Sequence, residues 1–440
     1  MSFRQTPYGK ITSDWEIKKA SEYLTVLTDY VANGSFASLK NNVQYYSEPN
    51  YAILLRLTDY NNSYKGDFVY IDEKGYNFLS KTKLYGGEII ISNVGANVGT
   101  VFKAPRLELK MNLGPNTIMI KTQGNDDFYY YWFKSPQGQA QIKAILSGSA
   151  QPKFNKTAFK NIELPIPSLS EQKAIANILS SLDEKIELNN QMNETLEEMA
   201  QALFKRWFVD FEFPNEEGQP YKSSGGEMVE SELGMIPYNW KSGVLGDLIY
   251  VQNGYAFKGK DLMENGEVGI IKIKNISSNT VDIINTQYIS EILASKVDTK
   301  FKLCGTNLLI AMTGAEVGKI GLVPLNKKEL YLNQRVGCIK ELVPGGEGYA
   351  YNYLLRPETQ EMIQAKAIGS AQPNISASGI EELKVVIPSN HVLKAFQNIC
   401  GSLLYNMCQL IEENYLLIEL RDTLLPKLMS GEIRVSDFES

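Results

Sequence analysis

The chain contains one stretch of 61 residues that occurs twice. Residues 148–208 and 369–429 align without a gap at an offset of 221, and 18 of the 61 positions are identical. Both copies begin with the letters GSAQP and pass through Ile-Pro-Ser into a long segment with almost no glycine or proline. Such a segment predicts a helix of about 40 residues, or roughly 60 Å. The chain is therefore expected to fold as two related halves, each ending in a long helix.

Apolar residues recur every three or four positions along both predicted helices. The residues that we expect to pair are Leu179, Leu182, Ile186, Asn193, Leu196 and Leu203 in the first copy, and Leu403, Met407, Leu410, Asn414, Leu417 and Leu424 in the second. This spacing is typical of a coiled coil, and an asparagine in its seam weakens packing but fixes register. A helix with one apolar stripe must bury it, so we predict that the two helices pair with each other. Two ordinary core helices in unrelated domains are the alternative.

Both ends of these helices carry local signals. Ser168 and Glu171 have the spacing of a capping box at the first helix start. Pro426 predicts that the second helix ends or kinks near that residue.

The regions before the helices also repeat. Residues 91–105 match residues 310–324 at an offset of 219. In the first region, 51–57, 88–92 and 116–121 are apolar, β-branched runs that predict strands. Residues 127–146 predict a helix that is broken near a proline at position 136.

These patterns give an α+β plan of two mixed α/β modules, each followed by a helix. The predicted parts are a first module (1–168), its helix (169–213), a linker (214–235), a second module (236–389), its helix (390–429) and a C-terminal tail (430–440). The helices and framework motifs stay alike, whereas residues 41–64 and 275–300 hardly align. Two modules that share a scaffold but differ in these stretches suit a protein that recognises two different targets.

Composition excludes several classes of protein. No apolar run reaches the roughly 18 residues of a membrane span, and the first 15 residues lack the apolar core of a signal peptide, so we expect a cytoplasmic protein without a membrane partner. Four cysteines lie far apart and there is one histidine, so no metal site is predicted and the cysteines are read as packing residues. The net charge is -6, but residues 1–168 carry +5 and residues 169–213 carry -5.

The sequence contains no recognisable set of catalytic residues. The segment 314–320 resembles a phosphate-binding loop, but it has three residues between its glycines and no Ser or Thr after Lys319. Its repeat, 95–100, has no lysine, so we predict a tight turn in both copies. No glycine-rich cofactor fingerprint occurs, and we predict neither catalytic residues nor a bound cofactor in this chain.

Basic residues among aromatics and amides favour a nucleic-acid partner. The candidate DNA contacts are Arg56, Lys65, Lys103 and Lys153 in the first module, and Lys258, Lys272, Lys274, Lys319 and Arg335 in the second. Such side chains anchor phosphates or read base edges in the major groove.

Several motifs resemble those of the specificity subunits of type I restriction-modification systems, and the resemblance covers essentially the whole chain. It rests on LPIPSLSEQ at 164–172, FKRWFVDF at 204–211, ELGMIPYNW at 232–240 and LLPKLMSGEI at 424–433. The second helix departs from the pattern, with NHVL at 390–393 where the first has LSEQ at 169–172.

The resemblance implies a non-catalytic DNA-reading subunit. Each module would be a target recognition domain that reads one half of a split double-stranded DNA sequence. The two helices would form an antiparallel coiled coil and dock two methyltransferase subunits, which restriction and translocase subunits then join. S-adenosylmethionine, ATP and Mg²⁺ would bind to those partners.

Two other classes of function remain open at this point. One is a coiled-coil adaptor that binds proteins without reading DNA. The other is an enzyme such as a fused methyltransferase, against which the missing cofactor motif argues.

Overall fold

The chain forms two compact units. The structure, a computed structural model, describes residues 2–148, 150–367 and 373–435. The first unit contains residues 1–184 and 417–440, and the second contains residues 185–416. Each unit thus combines one globular module with part of each long helix. Most of the second GSAQP copy, residues 369–372, lies outside the described residues.

Short strands and helices alternate in the first module. The strands are β1 (Phe3–Thr6), β2 (Gly9–Thr12), β3 (Glu16–Lys19), β4 (Leu24–Asp29), β5 (Ala52–Leu55), β6 (Tyr70–Ile71), β7 (Lys83–Leu84), β8 (Ile89–Ser92), β9 (Val101–Lys103), β10 (Lys110–Leu113), β11 (Thr117–Thr122) and β12 (Glu163–Ile166). The helices are α1 (Ala20–Tyr23), α2 (Phe36–Asn42), α3 (Leu57–Asn61), α4 (Glu73–Phe78), α5 (Asp126–Lys134), α6 (Pro136–Ala144) and α7 (Lys156–Phe159). The three predicted strands are confirmed as β5, β8 and β11. The broken helix is confirmed as α5 and α6, because Ser135 caps α6 and Pro136 fits its first turn.

Two sheets form the first module. One is mixed, with the strand order β6-β5-β10-β7, and its central strands β5 and β10 are parallel. The other is antiparallel, with the order β4-β11-β8-β9. Strands β5 and β8 are buried along their whole length, which explains their unbroken apolar runs. Strands β3 and β12, which lie near the start and the end of the module's sequence, pair with each other outside these two sheets.

The second module repeats this plan. Helix α8 (Leu169–Phe204) continues into a π-helical turn (Lys205–Val209) and leads to this module. Its strands are β13 (Met228–Ser231), β14 (Gly234–Pro237), β15 (Lys241–Val244), β16 (Ile249–Asn253), β17 (Val268–Ile271), β18 (Ile276–Ser277), β19 (Thr280–Val281), β20 (Gln287–Ile289), β21 (Lys302–Leu303), β22 (Leu308–Ala311), β23 (Ile320–Leu322), β24 (Glu329–Leu332), β25 (Val336–Glu341) and β26 (Lys384–Ile387). Its helices are α9 (Glu291–Ala294), α10 (Gly346–Leu355), α11 (Pro357–Ala367) and α12 (Ala377–Glu381), and α13 (Asn390–Ser430) follows.

The sheets of the second module keep the strand orders of the first. The mixed sheet is β20-β17-β24-β21, with β17 and β24 parallel. The antiparallel sheet begins β16-β25-β22-β23 and is extended by the hairpin β18–β19. This hairpin lies in one of the stretches that hardly align in sequence, so the variable stretches differ in secondary structure as well as in side chains.

The long helices run antiparallel within each unit. In the second unit Asn189 Nδ2 donates to Asn414 Oδ1 at 2.9 Å, and Lys185 pairs with Glu413 at 3.3 Å. In the π-helical turn after α8, the ring centre of Phe208 lies 4.8 Å from that of Phe396. Residues later in the first helix therefore contact residues earlier in α13, as antiparallel helices do. In the first unit Arg421 of α13 pairs with Asp183 of α8 at 2.7 Å.

The predicted pairing residues differ in burial. Leu179, Met407 and Asn414 are buried, and the other nine are half-buried. Part of this burial comes from the modules, because Leu179 and Leu424 belong to the core of the first module and Leu196, Leu203, Leu403 and Met407 to that of the second. The helices therefore do not rely on each other alone.

The signal at the start of the first helix is confirmed in part, and the second helix runs past Pro426. Ser168 Oγ accepts the N–H of Glu171, but the Glu171 carboxylate accepts from the Trp15 indole and pairs with Arg434 instead of closing a capping box. The second helix does not end at Pro426 but continues to Ser430. Among the described residues, no helix combines the length and hydropathy that a bilayer span requires.

Candidate nucleic-acid interface

Each module has a rim of loops where the two parallel strands of its mixed sheet end. In the first module, the N–H of Gly114 donates to the Leu55 carbonyl oxygen at 2.7 Å just past these ends. A Cβ on residue 114 would lie 2.5 Å from that oxygen, so only glycine allows this approach. In the second module, the N–H of Asn333 donates to the Ile271 carbonyl oxygen at 3.1 Å. The sheets thus hold both rims on a rigid base.

Arg56 and Lys272 occupy equivalent places on the two rims. Each directly follows its strand and precedes a short helical turn, and its N–H donates to the side chain three residues later. That acceptor is Asp59 at 2.7 Å in the first module and Asn275 at 3.0 Å in the second. A cation therefore recurs at one structural position, although the surrounding sequences hardly align.

The two cations have different surroundings. The guanidinium of Arg56 donates to both carboxylate oxygens of buried Asp59 and to the carbonyl oxygen of Asp67. Lys272 Nζ instead donates to Gln287 Oε1. Burial, and then the charge of Lys274, lower the pKa of Lys272. An anion that approached Lys272 and Lys274 would relieve this repulsion, as a DNA phosphate would.

The predicted tight turns are confirmed beside both rims. Gly95, Gly99, Gly314 and Gly318 all have φ between 83° and 105°, in the region that favours glycine. A glutamine of the following helical pair donates to each turn, with Gln139 Nε2 3.0 Å from the Gly99 oxygen and its counterpart in the second module at 3.1 Å. These glycines shape the tight turn of a hairpin in each module.

Lys153 and Lys319 lie at these turns. Lys153 is exposed and forms a bridge with Val94, and the adjoining Pro152 accepts the N–H of Gly95 at 3.0 Å. Lys319 is also exposed, and it forms an ion pair with Glu316 of its own turn.

Arg335 lies between the second rim and its turn. Its carbonyl oxygen accepts the N–H of Met312 at 3.1 Å, and its side chain is exposed. This side chain makes no hydrogen bond or ion pair with the part of the chain that the structure describes. Asn116 holds the same place in the first module, bonded to Asn93 at 3.0 Å, so the two rims present different groups there.

The remaining candidates are spread more widely. Lys65 is exposed on the loop after α3, and Lys258 is exposed after a segment whose Tyr255 bonds to Leu332 and Gln334 of the second rim. Lys103 pairs with Asp127 at 2.6 Å and lies over the ring of Tyr130, so its charge is partnered, as the charge of Arg56 is by Asp59. The structure therefore brings Lys272, Lys274, Arg335, Lys319 and Lys258 onto connected loops. In the first module, the hydroxyl of Tyr64 donates to the carbonyl oxygen of Lys103 at 2.8 Å, which joins Lys103 to the loop after α3.

No sequence pattern pointed to a second basic cluster in the first module. Lys83 and Lys110 lie there against the rings of Tyr51 and Tyr76. These four residues are spread over 60 positions and meet only because β5, β10 and β7 are neighbours in one sheet. Strand pairing of this kind cannot be read from local spacing.

The described residues contain no cluster of His, Cys, Asp and Glu that could hold a metal ion. Cys338, Cys400 and Cys408 are buried as expected of packing residues, whereas Cys304 is exposed. Burial raises the pKa of Cys338 to about 11 and those of Cys400 and Cys408 to about 12. These three thiols stay protonated near neutral pH and are poor nucleophiles.

Comparison with known proteins matches both halves of the chain. A family described as type I restriction modification DNA specificity domain matches residues 12–198 and 237–400. The chain is 29% identical over 444 residues to the type I restriction enzyme MjaIX specificity subunit of Methanocaldococcus jannaschii, covering 99% of this chain and 97% of that protein. It is 26% identical to the HindI specificity subunit of Haemophilus influenzae over 64% of this chain and 71% of that one.

The fold is similar to that of a solved structure. The S subunit of a type I restriction-modification system from M. genitalium superposes with a TM-score of 0.57 at 17% identity, covering 96% of this chain and 98% of that one. The predicted fold of two mixed α/β modules with long helices is confirmed.

Proposed function

The chain belongs to the type I restriction-modification DNA specificity family, and from this premise we propose that each module reads one half of a bipartite double-stranded DNA target through its rim. A role in DNA-recognition specificity is what the family provides, and a coiled-coil adaptor without DNA readout is not supported.

The observation that carries the proposal is the recurrence of a cation at one position of two unlike rims. Arg56 and Lys272 each follow the first parallel strand of their mixed sheet, and the backbone N–H of each donates to the side chain three residues later. A place for a cation that both modules share suits the phosphate backbone, which is the same in every sequence. The difference between Asn116 and Arg335 beside it suits two half-sites with different bases.

We further propose that this chain does no chemistry itself. Two methyltransferase subunits would dock on the long helices, and restriction and translocase subunits would join them. S-adenosylmethionine, ATP and Mg²⁺ would bind to those partners. In support, α8 exposes a stripe of apolar side chains at helical spacing, with Leu188, Met192 and Met199 between 43% and 51% exposed. Such a stripe on an acidic helix fits a protein partner better than DNA.

The test uses the full chain assembled with methyltransferase subunits. The target is first identified by sequencing methylated DNA, and binding is then measured by gel shift. Arg335→Ala should weaken binding at least fivefold, because a lost base or phosphate contact of this kind is worth about 1–3 kcal/mol. The matched control is Lys296→Ala, which removes an exposed charge from the loop after α9. Equal binding by both variants and the unaltered protein would refute the assignment of the rim.

A further inference from the structure

The first module carries a patch of two lysines and two tyrosines away from its rim, called here the tyrosine–lysine patch. Lys110 Nζ lies 4.3 Å from the ring centre of Tyr51, and Lys83 Nζ lies 4.3 Å from that of Tyr76. The two rings meet edge to face at 5.5 Å, and Lys110 also donates to the Tyr51 hydroxyl. The patch is therefore a built arrangement, in which both ammonium groups lie against the ring of Tyr76.

Neither lysine of the patch is neutralised. Within the described part of the chain, Lys83 and Lys110 form no ion pair, although the charge of Glu73 acts on Lys110. The hydrogen bond to Tyr51 raises the pKa of Lys110. Lys110 is exposed, Lys83 is half-buried, and Tyr85 beside them is 73% exposed. The patch thus offers two fixed positive charges to solvent.

The equivalent place in the second module has lost this charge. Lys302 corresponds to Lys83 and Glu329 corresponds to Lys110, both at an offset of 219. There Lys302 Nζ and Glu329 Oε1 form an ion pair at 3.0 Å. The patch is therefore not required by the shared fold, because the second module builds the same sheet without it.

The position of the patch relates it to the rim. Tyr51 adjoins the first residue of β5 and Arg56 adjoins the last, so five strand steps, about 16 Å, separate them. Duplex DNA rises about 3.4 Å per base pair, so for a duplex that lies along β5 this distance spans roughly five base pairs.

We propose that the tyrosine–lysine patch binds the phosphate backbone about five base pairs from the contacts of the first rim. This inference rests on the proposed function. Ammonium and phenol groups are donors suited to phosphate oxygens, and they carry no base preference of their own. Lysine is depleted at protein interfaces, so two exposed ammonium groups without an ion pair favour DNA over an acidic protein surface.

The test compares Lys83→Gln/Lys110→Gln with Lys302→Gln in the assembled complex. The double variant removes two phosphate contacts, so the slope of log K against log salt should become less steep by about 1.8. Between 0.05 and 0.2 M salt the unaltered complex should lose roughly tenfold more affinity than the double variant. Hydroxyl-radical footprinting should show protection lost about five base pairs from one half-site, while both half-sites stay the same. Lys302→Gln should leave the slope and the footprint unchanged.

A further variant guards against a folding artefact. Tyr51→Phe keeps the ring but removes the hydroxyl that holds Lys110, and it should reduce the same footprint in part. If the double variant keeps the original slope and footprint while Arg335→Ala still weakens binding, the patch proposal is overturned and the proposed function stands. If the double variant loses methyltransferase subunits in the absence of DNA, the patch binds protein and the proposal also fails. If Arg335→Ala has no effect either, the proposed function itself fails.

Discussion

On the first rim, the guanidinium of Arg56 is held by Asp59, whose carboxylate also accepts the N–H of residue 56 at 2.7 Å. Asp59→Ala would leave the partly buried guanidinium and this N–H without their acceptor. We expect the free energy of unfolding to fall by about 2 kcal/mol, since hydrogen bonds to charged groups are worth roughly 1.5–3 kcal/mol and the Arg56 side chain is still 31% exposed. Urea denaturation measures the change. Asp67→Ala is the control, because residue 67 contributes only its carbonyl oxygen and should have little effect.

In the second unit, Glu197 of α8 accepts hydrogen bonds from the hydroxyl of Tyr351 at 3.2 Å and from Asn279 of the β18–β19 hairpin. Burial raises the pKa of this carboxyl, which means that the folded chain holds the proton more tightly than the unfolded chain. The stability that the Glu197 carboxyl contributes is therefore fully present below its pKa in the unfolded chain. It is lost as the pH rises through the higher pKa of the folded chain.

Glu197→Gln removes this pH dependence. Its stability relative to the unaltered protein should therefore improve between pH 4 and pH 7, as measured by unfolding midpoints at both values. Glu198→Gln changes an exposed neighbour and is expected to show no such trend. A constant difference for Glu197→Gln across this range would count against a raised pKa of Glu197 in the folded chain.

At the scale of elements, the seam between α8 and α13 in the second unit centres on a polar layer. Asn189 is fully buried, and its amide donates to Asn414 and Glu413. Asn414→Leu removes one acceptor and should cost about 1–2 kcal/mol, because a buried donor loses a partner. Adding Asn189→Leu should recover at least that amount, since both amides are then replaced by apolar side chains. A double-mutant cycle in urea measures the coupling, and additive losses would show that the two amides are not paired.

The sequence predicted this layer only in part. The seam and the antiparallel pairing follow from helical spacing and from the family resemblance. Asn193 and Asn414 are equivalent in the repeat, but equivalence is not contact, and the partners of Asn414 are Asn189 and Asn190. Likewise Glu171 has the spacing of a capping box, yet Trp15 and Arg434 are bound to its carboxylate. Local spacing identifies a group that needs a partner, and tertiary structure decides which partner it receives.

At the scale of the whole molecule, the repeat predicted both modules because framework turns and helix starts depend on glycines, prolines and caps that leave a local trace. The rims could be predicted less well. Arg56 and Lys272 correspond only because each follows an equivalent strand, β5 or β17. The segment that joins the two parallel strands of the mixed sheet differs between the modules in length and in secondary structure. A single sequence therefore identifies candidate cations but cannot show that two of them hold the same place.

The base of the first module suggests where a module can be exchanged. Strand β3 (Glu16–Lys19) pairs with β12 (Glu163–Ile166), and both lie outside residues 20–145. Residues 20–145 contain both sheets of the module and the helical pair α5–α6. Replacing 20–145 by the matching region of a relative leaves the β3–β12 pairing and the long helices intact. If each module reads its own half-site, sequencing of methylated DNA should show one half of the target changed and the other retained. The reciprocal exchange of 245–366, which lies between β15 and β26, should change the other half instead. Both halves changing after either exchange, or neither changing, would show that the modules do not read DNA independently.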